Sequence, residues 1–201
     1  PVKQDQENSG GLSKDNSGAE NHCTIFTIAE SPLDENIIWA GTDDGQVQVT
    51  KNGGKSWEEV GKNITGLPAN TWCYHIESSV HDKGIAYAVF DGHTMNDKNP
   101  YTYKTNDYGK TWNSIISEDV KGFTRSFQED LVNPDLLFLG TETGLYISIN
   151  GGKVWSKFSN NMPSTAIHHM EMHAKTNDLV MATHGRGVII LDDISPLREL
   201  T

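Results

Sequence analysis

The side chains able to act on a ligand fall into three groups in this sequence: carboxylates in tight turns, a run of imidazoles and a few guanidiniums. Asp43 and Asp44 are adjacent, and Glu142 stands in a comparable turn. Two carboxyls about 5–10 Å apart can serve as acid and base in glycoside hydrolysis. Adjacent aspartates also satisfy the N–H groups of a turn, the plainer use of Asp43 and Asp44. His184-Gly-Arg186-Gly187 could hold an anion, because a guanidinium offers a fork of donors. Anchoring of the last repeat is the competing use of Arg186. The run His168-His169-Met-Glu-Met-His173 invites a metal. On a strand, however, His169 and His173 would lie about 13 Å apart, too far to share an ion. No metal and no cofactor are expected, since HExxH, paired CxxC, P-loop, GxGxxG and GxSxG patterns are missing.

These residues ride on a repeat that begins near Cys23. One unit runs through residues 24–30, 37–41, 45–50 and 51–57, and the next through 71–78, 85–90 and 101–112. A third takes 123–129, 136–141 and 144–155, and a fourth 166–173, 179–183 and 187–191. Trp39, Tyr87, Phe138 and Met181 hold one matched position, at steps of 48, 51 and 43 residues. Periods of about 40–50 residues with four short strands each are those of β-propeller blades. Continuous apolar runs such as Ile37-Ile38-Trp39-Ala40 suit strands covered on both faces by neighbouring blades. An all-β fold follows. It has four blades at about 23–69, 70–121, 122–163 and 164–201, after a polar loop or tail at 1–22.

Bulk properties narrow the partners. The 201 residues carry a formal net charge of −11, which disfavours nucleic acid and anionic membranes. No apolar run reaches the roughly 18–20 residues that cross a bilayer, so membrane insertion is not expected. Cys23 and Cys73 are equally compatible with a disulfide and with two buried thiols. The sequence begins at Pro1, which is consistent with processing or with a fragment of a longer protein.

Three turns carry a shared motif: Thr50-Lys-Asn-Gly-Gly-Lys-Ser-Trp57, Thr105-Asn-Asp-Tyr-Gly-Lys-Thr-Trp112 and Ser148-Ile-Asn-Gly-Gly-Lys-Val-Trp155. They resemble the Asp-box, or BNR repeat, of sialidases, xyloglucan-acting glycoside hydrolases and the sortilin propeller. Asn52, Asp107 and Asn150 are suited to capping the turn, the glycines to positive φ, and Trp57, Trp112 and Trp155 to plugging the space between sheets. In that family these turns lie away from the binding face, so the six residues read as structural. The fourth unit, Met181-Ala-Thr-His-Gly-Arg-Gly187 through Pro196-Leu-Arg198, lacks the motif and a fourth strand. It resembles the closing blade of bacterial sortilin-like or BNR-repeat proteins. The resemblance implies further blades in the parent protein, as partners of these. It does not carry over a sialidase site: Arg125, Arg186 and Arg198 are the only arginines, and Arg198 lies in the exit segment.

Aligned first strands give columns. Ile28, Ile76, Phe127 and Met170 are uniformly apolar and read as core. Phe26, Tyr74, Arg125 and His168 vary from blade to blade, as do Thr27, His75, Ser126 and His169. Variation near the channel mouth suits an asymmetric ligand. The candidate binding residues are therefore Tyr74, His75, Arg125, His168 and His169, with Asp44, Glu142, His184 and Arg186 from the hairpins. The expected function is a non-catalytic secreted or surface module that binds a peptide, protein or glycan there. The alternative is part of a sialidase-like or xyloglucanase-like glycoside hydrolase whose carboxylates lie partly outside this chain.

Overall fold

The computed structural model describes residues 24–200; the 1–22 tail and Cys23 lie outside them. The described residues form four antiparallel sheets in sequence order, consecutive blades of a β-propeller. Blade 1 holds β1 (Ile25–Glu30), β2 (Ile38–Thr42), β3 (Val47–Thr50) and β4 (Glu58–Glu59). Blade 2 holds β5 (Trp72–Ser78), β6 (Ala86–Asp91), β7 (Tyr101–Thr105) and β8 (Asn113–Ser114). Blade 3 is β9 (Thr124–Glu129), β10 (Leu137–Thr141), β11 (Gly144–Ser148) and β12 (Ser156–Lys157). Blade 4 has three strands, β13 (Ile167–His173), β14 (Asp178–Thr183) and β15 (Val188–Leu191), followed by the short helix α1 (Ser195–Arg198).

The motif turns are built alike. Thr50 Oγ1 accepts from the N–H groups of Asn52 and Gly54 at 3.3 and 3.0 Å, and Asn52 Oδ1 from that of Ser56 at 3.0 Å. Thr105, Asp107, Gly109 and Thr111 repeat this pattern, as do Ser148, Asn150, Gly152 and Val154. Such local side-chain acceptors replace ladder bonds where the chain must reverse. Gly54, Gly109 and Gly152 have φ of 83°, 80° and 89°, the left-handed region that disfavours a Cβ.

Apolar burial lies between blades rather than within them. One core joins Trp39, Val49 and Val60 of blade 1 to Ile76, Phe90 and Trp112 of blade 2. A second joins Tyr87 and Val89 to Phe127, Leu139 and Trp155. A third joins Leu136 and Phe138 to Ile167, Met170 and Met181. Among the described residues no such core joins blade 4 back to blade 1, so the arc is open. Two readings from the aligned columns are corrected by this. Ile28 is 66% exposed although Ile76, Phe127 and Met170 are buried, and Trp57 is 42% exposed although Trp112 and Trp155 are buried. In blades 2 and 3 the residues at these two positions pack on the preceding blade, and blade 1 has none before it in the described residues.

Polar groups stitch the interfaces. Thr27 Oγ1 accepts from Ile76 N–H, and Ser126 Oγ donates to the Ile167 carbonyl. Arg198 forks onto Asp130 at 2.8 and 2.9 Å, tying α1 to blade 3. Cys73 is a buried free thiol whose pKa burial raises. Glu129 is fully buried and accepts from Ser79 Oγ, Val80 N–H and Tyr87 Oη. Glu77 Oε1 accepts from Glu129 N–H at 2.7 Å and Gln128 Nε2 at 3.1 Å.

Burial is the main cause that raises the Glu77 pKa well above 4.5, with the charges of Glu129 and Glu171 adding to it. The fold therefore favours the protonated form. That contribution is complete below pH 4.5 and is lost as pH rises through the raised value. Glu77→Gln keeps the Oε1 acceptor and removes the titration. Urea midpoints should show the variant gaining stability over the wild type at pH 8 and gaining none at pH 4. An equal difference at both pH values would refute the assignment.

Candidate functional site

Each blade's first strand breaks its register at one matched place. The ladder passes from Ile25 to Thr27, Cys73 to His75, Thr124 to Ser126 and Ile167 to His169. The residue left over in each bulge is Phe26, Tyr74, Arg125 or His168, the first blade-variable column. A bulge re-aims the side chain it leaves unpaired. Here four bulges in register bring one side chain per blade into a connected row. The Phe26 ring lies 5.2 Å from that of Tyr74, and Arg125 Cζ stands 5.1 Å from the Tyr74 centroid. Arg125 Nη1 reaches His168 Nε2 at 2.5 Å. Trp72 extends the row, 4.5 Å edge-on from Phe26, and His184 stacks on His168 at 5.2 Å.

Arg125 is the pivot. Its guanidinium lies over the rings of both Tyr74 and Phe123, the latter at 4.8 Å. Its Nε donates at 2.8 Å to Asp91, whose carboxylate is fully buried. Asp91 also accepts from the backbone N–H of His93 at 2.9 Å and from His93 Nδ1 at 2.8 Å. A carboxylate only accepts, so Nδ1 of His93 carries the proton. A guanidinium only donates, so Nε2 of His168 is the lone-pair nitrogen and that ring is neutral. Burial first, and then the Arg125 and His184 charges, lower the His168 pKa. Burial raises that of Tyr74. The Arg125 charge is met by Asp91, leaving a row of ring faces with hydrogen-bonding edges. Such a surface suits stacking of sugar or peptide groups.

The second column behaves differently. Thr27 and Ser126 are spent on the inter-blade bonds above. The rings of His75 and His169 lie 6.1 Å apart, from blades 2 and 4. Burial depresses the His75 pKa to about 4, and burial, then the proximity of His75, lowers that of His169. Both rings are neutral near pH 7. No cluster of three or more His, Cys, Asp or Glu side chains that could hold a metal occurs among the described residues.

The hairpin candidates do not all join the row. His184 does. Arg186 is exposed on the same 183–187 hairpin. Asp44 is buried and takes hydrogen bonds from Thr42 Oγ1 and Gln46 Nε2, which holds it inside its own turn. Asp43 accepts from Thr24 N–H at 2.8 Å. Glu142 pairs with Lys98 at 3.5 Å and packs against Gly122. No contact joins the carboxylates of Asp44 and Glu142 as a catalytic pair. Trp72, Asp91, His93 and Phe123 are absent from the sequence-derived candidates. One signal could have found Asp91 and His93: the blade 2 hairpin spans residues 92–100, far longer than its counterparts at 43–46 and 142–143.

No family model matches the chain, and no match was found among curated proteins. Solved structures share its fold. YCF48 bound to D1 peptide aligns over 86% of this chain and 52% of its own, at 16% identity and a TM-score of 0.62. The Niastella koreensis GH74 enzyme aligns over 85% and 29%, at 14% identity and a TM-score of 0.64. The extracellular domain of a one-component system from B. thetaiotaomicron aligns over 85% and 21%, at 15% identity and a TM-score of 0.61. The chain thus spans about half the length of the first of these and less of the others, and at such identities the likeness is one of fold.

Proposed function

We propose that this chain is a non-catalytic binding module that takes a peptide, protein or glycan across the Phe26–Tyr74–Arg125–His168 row, outside the cytoplasm. One observation carries the reading: four bulges in register aim four different side chains into one row, with its central arginine fixed by a buried carboxylate. A core column stays uniform from blade to blade; this one does not, which is what recognition of an asymmetric ligand needs. Proteins that share the fold include a peptide complex, GH74 enzymes and an extracellular domain, which supports the ligand classes and the compartment. No helix of the described residues is long and apolar enough to cross a membrane. The motif turns and the closing blade support a place among the BNR-repeat, sortilin-like propellers, with Asn52, Asp107 and Asn150 as turn caps.

The test is a glycan array and a peptide library, followed by titration calorimetry of the hits with Tyr74→Ala and His168→Ala. These variants should each weaken the ligand by roughly tenfold or more, because stacked and hydrogen-bonded contacts at a site centre contribute about 1.5 kcal/mol or more. Turnover of a glycan that disappears in Asp44→Asn or Glu142→Gln would instead establish the glycoside hydrolase reading.

A further inference from the structure

One hydrogen bond in the row has a direction that a proton can forbid. Arg125 Nη1 donates to His168 Nε2 at 2.5 Å, so the bond exists only while that nitrogen keeps its lone pair. A proton there would turn the acceptor into a second donor and set two like charges side by side. From Trp72 through Phe26 and Tyr74 to Arg125, by contrast, the row is held by ring contacts of groups that do not titrate between pH 4 and 8. His168 is partly exposed, so solvent protons reach it.

The groups around His168 do not welcome the charge. The Tyr74 ring of blade 2 stands 6.4 Å away, nearly at right angles. His184 stacks on His168 at 5.2 Å and is pinned by its own backbone, its N–H on the Ala166 carbonyl and its carbonyl on Thr165 Oγ1. His93, from the 92–100 loop, lies 3.3 Å from Arg125 Nη2. Arg125, His184 and His93 all oppose a positive charge on His168, and Asp91 favours one. Both Asp91 oxygens are already engaged, by Arg125 Nε and by the backbone and ring of His93.

We infer that His168 is a proton switch for the row: a proton at Nε2 breaks the bond to Arg125 and swings the imidazole away, parting blade 4's contribution from those of blades 1 to 3. The row is whole at neutral pH and open in acid. Burial and the Arg125 charge place the change below pH 6.5, so the ring is neutral at pH 7. What the switch controls rests on the binding reading above. A ligand spanning Tyr74, Arg125 and His168 is held at neutral pH and released in acid.

The test needs no ligand. NMR of the chain labelled with nitrogen-15 and carbon-13, taken from pH 8 to pH 4, reads the ring nitrogens of His168, Arg125 Nε and the Tyr74 ring. At pH 8 the His168 proton should sit on Nδ1, with Nε2 bare. The His168 midpoint should lie below 6.5, and the Arg125 and Tyr74 signals should move with that same midpoint. His168→Gln offers Arg125 an acceptor that does not titrate, so there the shared movement should vanish. A proton on Nε2 at pH 8 would overturn the inference. So would Arg125 and Tyr74 signals that stay still through the His168 midpoint, or that move alike in His168→Gln. The first two outcomes are read on the unaltered chain and hold even if the variant does not fold. A failed switch leaves the binding reading standing, and a switch in a chain that captures nothing from the arrays sinks that reading alone.

Discussion

Arg125→Met should lower the stability of the chain by about 3–5 kcal/mol, the cost of leaving a buried charge without its partner. The partner is Asp91, fully buried and bonded to Arg125 Nε at 2.8 Å. His93 Nδ1 would still donate to that carboxylate, but it does not restore the bond that Arg125 Nε makes. Asp91→Asn should cost a similar amount for the mirrored reason, since Arg125 is itself 12% exposed and paired only there with a carboxylate. The double variant removes both charges together, so it should be clearly more stable than the sum of the single losses predicts. Urea unfolding of the four proteins measures the coupling directly. Losses that simply add, within about 0.5 kcal/mol, would mean that the two groups do not act as a pair. Because Arg125 also holds Tyr74 and His168 in place, its removal tests the scaffold of the row, and binding is better tested at those two neighbours.

The blades were legible in the sequence because their signal is redundant. The matched Trp39, Tyr87, Phe138 and Met181 positions and the three motif turns state one architecture several times over, and the incomplete fourth blade could be read from what it lacks. The site was legible only as a column. That Phe26, Tyr74, Arg125 and His168 vary together is visible in the alignment of repeats. That each lies in a bulge is not, because a bulge is a property of pairing, two residues opposite one, and no residue type marks it here. Asp91 escaped notice because it closes an otherwise apolar strand, Ala86–Asp91, and its importance lies in reaching Arg125, 34 residues away. Ile28 and Trp57 failed for a different reason. Reading a column assumes that every repeat has the same neighbours, and the first repeat of an open arc does not.

That last distinction yields the second large effect. Trp155→Ala should cost about 3–5 kcal/mol, while Trp57→Ala, at the same position of the same motif, should stay within about 1 kcal/mol. Trp155 is 1% exposed, packs in the core shared by blades 2 and 3, and donates to the Ile115 carbonyl. Its truncation would open a cavity between blades and remove the bond to that half-buried acceptor, and the two losses act on one interface. Trp57 has the same turn beneath it, with Thr50, Asn52 and Gly54 bonded as Ser148, Asn150 and Gly152 are. If the tryptophan worked by stabilising its own turn, the two substitutions would cost alike. If it works by gripping the blade before, only Trp155 of the two has something to grip among the described residues. Urea unfolding of the two variants separates these accounts, and equal losses would place the role of the motif within each blade rather than between blades.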